Sequence, residues 1–168
     1  MVAVRMQWNR PSAFQRSYEL RSGEKVVATL KFMKTFGSLA EGKAGNRTWT
    51  LKRRGFLSPA VGVREDGGEE EVASYKPNVF GGRGLVQLGT GERLALRSTS
   101  IWGTEWALTT ETETPLIRFH NKGVIKHGAD VDVEAMAKDR EDLAMLLVLV
   151  WYVLVLHQED TAVSAATG

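Results

Sequence analysis

Between Tyr18 and Val133 the chain alternates apolar and polar residues over short stretches. Ala28, Leu30 and Phe32 alternate with Thr29 and Lys31, and Trp49 and Leu51 with Thr48, Thr50 and Lys52. Leu94 and Leu96 straddle Ala95, Trp106 and Leu108 straddle Ala107, and Val131 and Val133 straddle Asp132. Period two predicts strands with one buried face, because successive side chains point to opposite sides of a sheet. Between these runs lie Arg21-Ser22-Gly23-Glu24, Glu65-Asp66-Gly67-Gly68, Gly89-Thr90-Gly91-Glu92 and His120-Asn121-Lys122-Gly123. Gly and Asn tolerate the positive φ that tight hairpins demand, so these quartets predict antiparallel connections. Many short strands joined by hairpins indicate a sandwich or barrel. Strands do not alternate with helices, which argues against a parallel α/β sheet. Residues 64–71 are expected to be a solvated loop and residues 161–168 a disordered polar tail.

The pattern breaks at Leu143. From there to Leu156 run 14 residues without a charge, LAMLLVLVWYVLVL, bracketed by Asp139-Arg140-Glu141-Asp142 and His157-Gln158-Glu159-Asp160. The run exceeds a usual strand, and Asp139 with Asp142 resembles an N-terminal cap, so a helix over about 139–158 is predicted, although the valines leave a long strand open. A helix apolar on every side must be surrounded on every side. At 1.5 Å per residue it measures about 21 Å, short of the roughly 30 Å bilayer core. Its acidic flanks also lack the basic and aromatic anchors of membrane spans. The expected environment is the protein's own interior. The predicted fold class is therefore mainly β: a closed antiparallel β-barrel enclosing a buried apolar C-terminal helix, in a single domain of residues 1–160.

Composition changes this picture little. At 168 residues, 43% hydrophobic and 25% charged, the chain is that of an ordinary globular domain. It has no cysteine, hence no disulfide framework and no thiolate zinc site, which suits a reducing, cytoplasmic compartment. The first eleven residues hold Arg5, Gln7, Asn9 and Arg10 and lack the apolar stretch of a secretory signal. Charge is uneven along the chain. Residues 1–64 carry 13 Lys/Arg against 3 Asp/Glu, and the remainder 9 against 17. Because the two halves of a barrel interleave in space, this imbalance is expected to average out on the folded surface.

Candidate chemistry is sparse and points away from an enzyme. His120, His127 and His157 lack metal-motif spacing; the first two read as solvated hairpin residues, and His157 as a cation near the helix C-terminal end. No Gly-x-Ser-x-Gly elbow is present. Gly81-Gly82-Arg83-Gly84 lacks a phosphate-cradling fingerprint and reads as hairpin glycines. Asp130 and Asp132 share a strand face but supply too few oxygen ligands for calcium, and read as outward acids. No catalytic residue, metal ligand or cofactor site is assigned. The densest basic cluster, Lys52-Arg53-Arg54, is the candidate lipid-binding site.

Three stretches resemble the tubby C-terminal-like superfamily, which includes tubby proteins, phospholipid scramblases and LURP-one-related proteins. They are the strand–turn–strand rhythm of Leu85–Phe119 with Trp102 and Trp106, the strand Asp130-Val131-Asp132-Val133, and the apolar helix itself. The resemblance spans about Gln15–Asp160. The chain departs from scramblases in the charged stretch Glu134–Asp142 and in lacking their cysteine- and proline-rich segments. The resemblance implies a non-catalytic binding module at a membrane surface, with anionic phospholipid as partner and basic loops making the contacts. Two alternatives stay open: a protein-interaction domain with no lipid role, and a tail-anchored protein using Leu143–Leu156. Nucleic acid is not expected as a partner, since aromatic residues are not interleaved with the basic ones.

Overall fold

The computed structural model describes residues 1–55, 57, 59–80, 83–122 and 127–167. These form twelve strands and one helix: β1 (Val2–Asn9), β2 (Ser17–Ser22), β3 (Lys25–Phe32), β4 (Ala40–Ala44), β5 (Arg47–Arg54), β6 (Ala60–Glu65), β7 (Glu71–Phe80), β8 (Arg83–Leu88), β9 (Arg93–Ser98), β10 (Glu105–Thr110), β11 (Pro115–Asn121), β12 (Ala129–Glu134) and α1 (Leu143–Thr167). Every strand pairs antiparallel with its neighbours in the chain, and β1 pairs with β12 to close the barrel. The predicted fold class holds.

The alternating stretches become strands in the expected phase. Leu30, Trp49, Leu51, Leu96, Leu108 and Val131 all point inward and are fully or almost fully buried. The hairpin signals hold as well: Gly23, Gly67 and Gly91 have φ of 61°, 79° and 92°. Of residues 64–71, however, Arg64, Glu65 and Glu71 belong to strands, and only the five between them form the turn. Gly81, Gly82 and Gly123, assigned to hairpins from the sequence, lie outside the described residues.

β1 adds a strand ahead of the predicted run. Val2, Val4, Met6 and Trp8 alternate with Ala3, Arg5 and Gln7 just as in later strands. Its register on β12 matches Trp8 with Ala129, Gln7 with Asp130 and Arg5 with Asp132.

The segment after β12 carries the chain from the wall to the barrel axis. Successive backbone bonds, Ala137 N to Glu134 O, Arg140 N to Ala137 O and Leu143 N to Arg140 O, fold it into tight turns across one end. The helix therefore begins at Leu143 rather than near residue 139, with its first bond from Leu146 N to Asp142 O. The Asp142 carboxylate is taken by Arg140, at 2.8 and 2.9 Å, instead of by helix amides. Arg140 also grips Glu92 at 2.6 and 3.1 Å, tying the helix entry to the β8–β9 hairpin.

From Met145 to Leu156 every helix residue is at most 7% exposed. By length and composition α1 could cross a membrane. Here the barrel already covers the surface that a bilayer would have to cover. The predicted disordered tail is a correction: residues 161–167 continue the helix. A buried helix upstream supplies the costly nucleus, Ala162, Ala165 and Ala166 propagate it well, and Thr161 Oγ1 bonds the His157 carbonyl at 2.8 Å. His157 accordingly lies ten residues inside the helix, not at its end.

Aromatic pairs fix the helix against the wall. Trp151 stacks on Trp8 with ring centroids 5.9 Å apart and meets the edge of Tyr18 at 5.6 Å, while Tyr152 stacks on Phe32 at 5.4 Å. The indole N–H groups of Trp8, Trp49 and Trp151 are buried without an acceptor, which shows how thoroughly apolar the interior is. The helix approaches the wall closely at β4, where Gly42 sits in register between Leu30 and Trp49. A Cβ at Gly42 would lie 2.4 Å from Val148 Cγ1. Gly42→Ala should therefore cost about 1–3 kcal/mol in urea unfolding. Adding Val148→Ala should recover part of that loss, and strictly additive losses in the double variant would contradict this contact.

Candidate functional site at the barrel mouth

In an up-and-down barrel, alternate connections fall at opposite ends. The described residues of the connections β1–β2, β3–β4, β5–β6, β9–β10 and β11–β12 belong to the end where α1 emerges, here called the mouth. The connections β2–β3, β4–β5, β6–β7, β8–β9 and β10–β11, with the segment leading into α1, belong to the closed end. Among the described residues, the mouth connections contain Arg10, Arg16, Lys34 and Lys122 and no Asp or Glu. Those at the closed end contain ten acidic residues, including Asp66, Glu69, Glu70, Glu111 and Glu113, against Lys138 and Arg140. Charge is thus partitioned along the barrel axis. The connections at the two ends of the fold differ in charge, against the expected averaging.

At the mouth two arginines clamp the emerging helix. Arg16 donates to both Glu159 carboxylate oxygens at 2.6 and 2.9 Å and, through Nη1, to the carbonyls of Lys34 and Gly37 at 3.0 Å each. Its guanidinium lies 4.1 Å from the Phe32 ring centroid, and its side chain is only 11% exposed. Arg53 pairs with Asp160 at 2.6 Å. The Tyr152 hydroxyl donates to the Ser38 carbonyl at 2.5 Å, and burial pushes its pKa up to about 12.

The structure divides the predicted Lys52-Arg53-Arg54 site. Period two turns Arg53 inward, toward the helix, and Lys52 and Arg54 outward. Arg54 then lies over Gly62 and pairs with Glu71, where a side chain on residue 62 would clash with both. Two of the three charges are therefore engaged in ion pairs, and Lys52 stands apart on the outer wall.

A cleft of about 540 Å³ opens beside the helix exit, lined by Arg10, Phe14, Arg16, Lys31, Lys34 and Glu159 among others. Lys31 and Lys34 have no ion-pair partner among the described residues. A smaller hollow of about 140 Å³ lies between Tyr75, Val153, Leu156 and the Arg53–Asp160 pair. Burial raises the Tyr75 pKa to about 12. His157 also lines this smaller hollow.

The remaining candidates resolve into structural roles. His157 meets the edge of Trp106 at 5.2 Å, and His120 Nδ1 pairs with Glu105. His127 lies near Arg10; burial, and then that cation, lower its pKa. Asp130 accepts from Gln7 at 2.9 Å and pairs with Lys122 at 3.2 Å, while Asp132 faces Arg5 at 3.4 Å. These are outward acids matched across strands, as expected. Burial opposes ionisation of Asp130, yet the bonds from Gln7 and Lys122 outweigh it and lower its pKa. Gly84 leaves room for the Tyr75 ring. Among the described residues no three metal-ligating side chains converge.

Reading the sequence for a local basic cluster missed Arg10, Lys31 and Lys34. Arg10 and Lys34 lie in mouth connections and Lys31 at the mouth end of β3, a placement visible only once the strands are counted from β1. No family model, curated protein or solved structure matches this chain.

Because Arg16 combines charged hydrogen bonds with near-complete burial, Arg16→Ala should lower stability by about 1.5–3 kcal/mol in urea unfolding. Arg16→Lys should recover little, since an ammonium cannot reproduce the fork. Arg54→Ala, on the outer wall, should cost less than about 1 kcal/mol. Equal losses at the two sites would contradict the clamp.

Proposed function

We propose that the chain is a non-catalytic binding module of the tubby-like kind that associates with anionic lipid head groups through its mouth. The observation carrying this reading is the axial charge partition: cations without acids in the described mouth connections, and acids concentrated at the far end. Such a molecule is steered mouth-first toward a negative surface, whose attraction is worth about 1 kcal/mol per basic residue close to it. The architecture also supports the resemblance, since a closed barrel around an apolar C-terminal helix is what that family implies. A module of this kind would act peripherally at a cytoplasmic leaflet, where anionic lipids are enriched. The contacts are assigned to Arg10, Lys31 and Lys34 around the cleft, in place of the divided Lys52–Arg54 cluster.

Co-sedimentation with vesicles tests the reading. The protein should pellet with phosphatidylcholine vesicles containing phosphatidylserine and stay in solution with phosphatidylcholine alone. Binding should fall steeply from about 0.1 M to about 1 M salt, as the screening length contracts from about 10 Å to about 3 Å. Lys31→Ala and Lys34→Ala should each weaken it roughly five-fold. Salt-insensitive binding, or none, would sink the lipid reading; a soluble protein captured at the same face would favour the protein-interaction alternative.

A further inference from the structure

The mouth is also where the connections expose large apolar side chains. Phe14 on β1–β2 is 99% exposed, Phe36 on β3–β4 85%, Leu57 on β5–β6 94%, and Ile101 and Trp102 on β9–β10 92% and 83%. Among the described residues, Met136 is the large apolar residue exposed on a closed-end connection. A single exposed Leu or Phe needs no explanation, but five on four loops at one end do. The tight hairpins of the closed end show that this barrel can turn its strands with Gly and polar residues alone.

We propose that the barrel docks mouth-down on an anionic bilayer, with Phe14, Phe36, Leu57, Ile101 and Trp102 dipping into the interfacial layer. This inference rests on the lipid reading above and adds to it a hydrophobic contact and a fixed orientation. Four observations select a bilayer as the occupant. The side chains stand on separate loop tips rather than forming the close-packed centre that a protein partner requires. A lipid interface instead accepts each tip independently, and Trp in particular settles at that depth. The charges among the tips are Arg and Lys, complementary to anionic head groups. Finally, the acids at the helix exit, Glu159 and Asp160, are matched by Arg16 and Arg53, and residues 161–167 beyond them carry no charged side chain. Mouth-down docking therefore takes these two acids out of water already paired.

Trp102 provides the readout. Trp8, Trp49 and Trp151 are fully buried inside the barrel, and Trp106 packs against His157, so a quencher within the lipid reaches Trp102 first. With phosphatidylserine-containing vesicles bearing brominated acyl chains, the protein should lose tryptophan fluorescence, and Trp102→Phe should abolish most of that loss. The exposed-loop variants Phe14→Ser/Phe36→Ser and Ile101→Ser/Trp102→Ser should fold normally by circular dichroism. Each should bind the vesicles about tenfold more weakly while retaining salt sensitivity. Met136→Ser at the closed end should bind unchanged. Salt-dependent binding without quenching, equal in all variants, would overturn insertion while leaving head-group association standing. Absence of binding at low salt would overturn both.

Discussion

A sheet of twelve strands closes around more space than its own inward side chains can fill; about eight strands is where side chains alone suffice. An apolar segment with no polar face, in turn, has no stable place in water. Each half of this protein resolves the other's problem. The helix residues Met145–Leu156 occupy the lumen, and inward residues from strands all around the ring, Trp8, Phe32, Trp49 and Phe119 among them, cover them. Neither element could be replaced by a polar equivalent without exposing or hollowing the other, and this mutual burial is the constraint on which the rest depends.

The same constraint decides why the run is a helix. Its valines are poor helix formers and would suit a strand. A strand on the barrel axis, however, would have no neighbour to receive its backbone N–H and C=O groups, since the wall has closed on itself. A helix satisfies them internally, and environment overrides propensity. The helix then needs a defined depth and angle, because an all-apolar surface carries no information about either. That information comes from three places: Gly42, which admits Val148 against β4; the aromatic stacks of Trp151 and Tyr152; and the ionic clamps at Arg140 on entry and at Arg16 and Arg53 on exit.

Fold class was legible in the sequence because it rests on local periodicity. The alternation in β3, β5, β9, β10 and β12 and the glycine hairpins are features of adjacent residues, and the uncharged run announces its own burial. β1 was not legible, although Val2, Val4, Met6 and Trp8 alternate as clearly as any strand. Arg5, Gln7 and Arg10 weigh in a reading of leader composition, and the partner that makes the segment a strand, β12, lies more than a hundred residues away. The helix tail was misread for a related reason: Thr161 to Thr167 would not nucleate alone, and only the preceding buried turns make them helical. The Lys52–Arg54 cluster was legible as charge but not as geometry. Alternation on β5 separates its members, and Glu71 and Asp160, which engage two of them, are distant in sequence.

The mouth was the least legible element because its defining property is a sum over every second connection. Counting charge by halves of the chain mixes the two ends, whereas counting by parity of connection separates them. That partition is not a by-product of holding the helix. The exit clamps take up Arg16 and Arg53, each against an acid of the helix itself, so they add no net charge. The excess that remains lies at Lys31 and Lys34, which have no ion-pair partner among the described residues, and at Arg10, which donates to the Gln15 carbonyl at 2.8 Å instead of meeting an acid. Nor does turn-making call for Phe14, Phe36 or Trp102, given that the closed end turns its strands without such residues. Lysines without an ion-pair partner among the described residues and exposed apolar side chains, gathered at one end of a fold whose connections at the other end are acidic, are the features by which this surface differs from a mere rim.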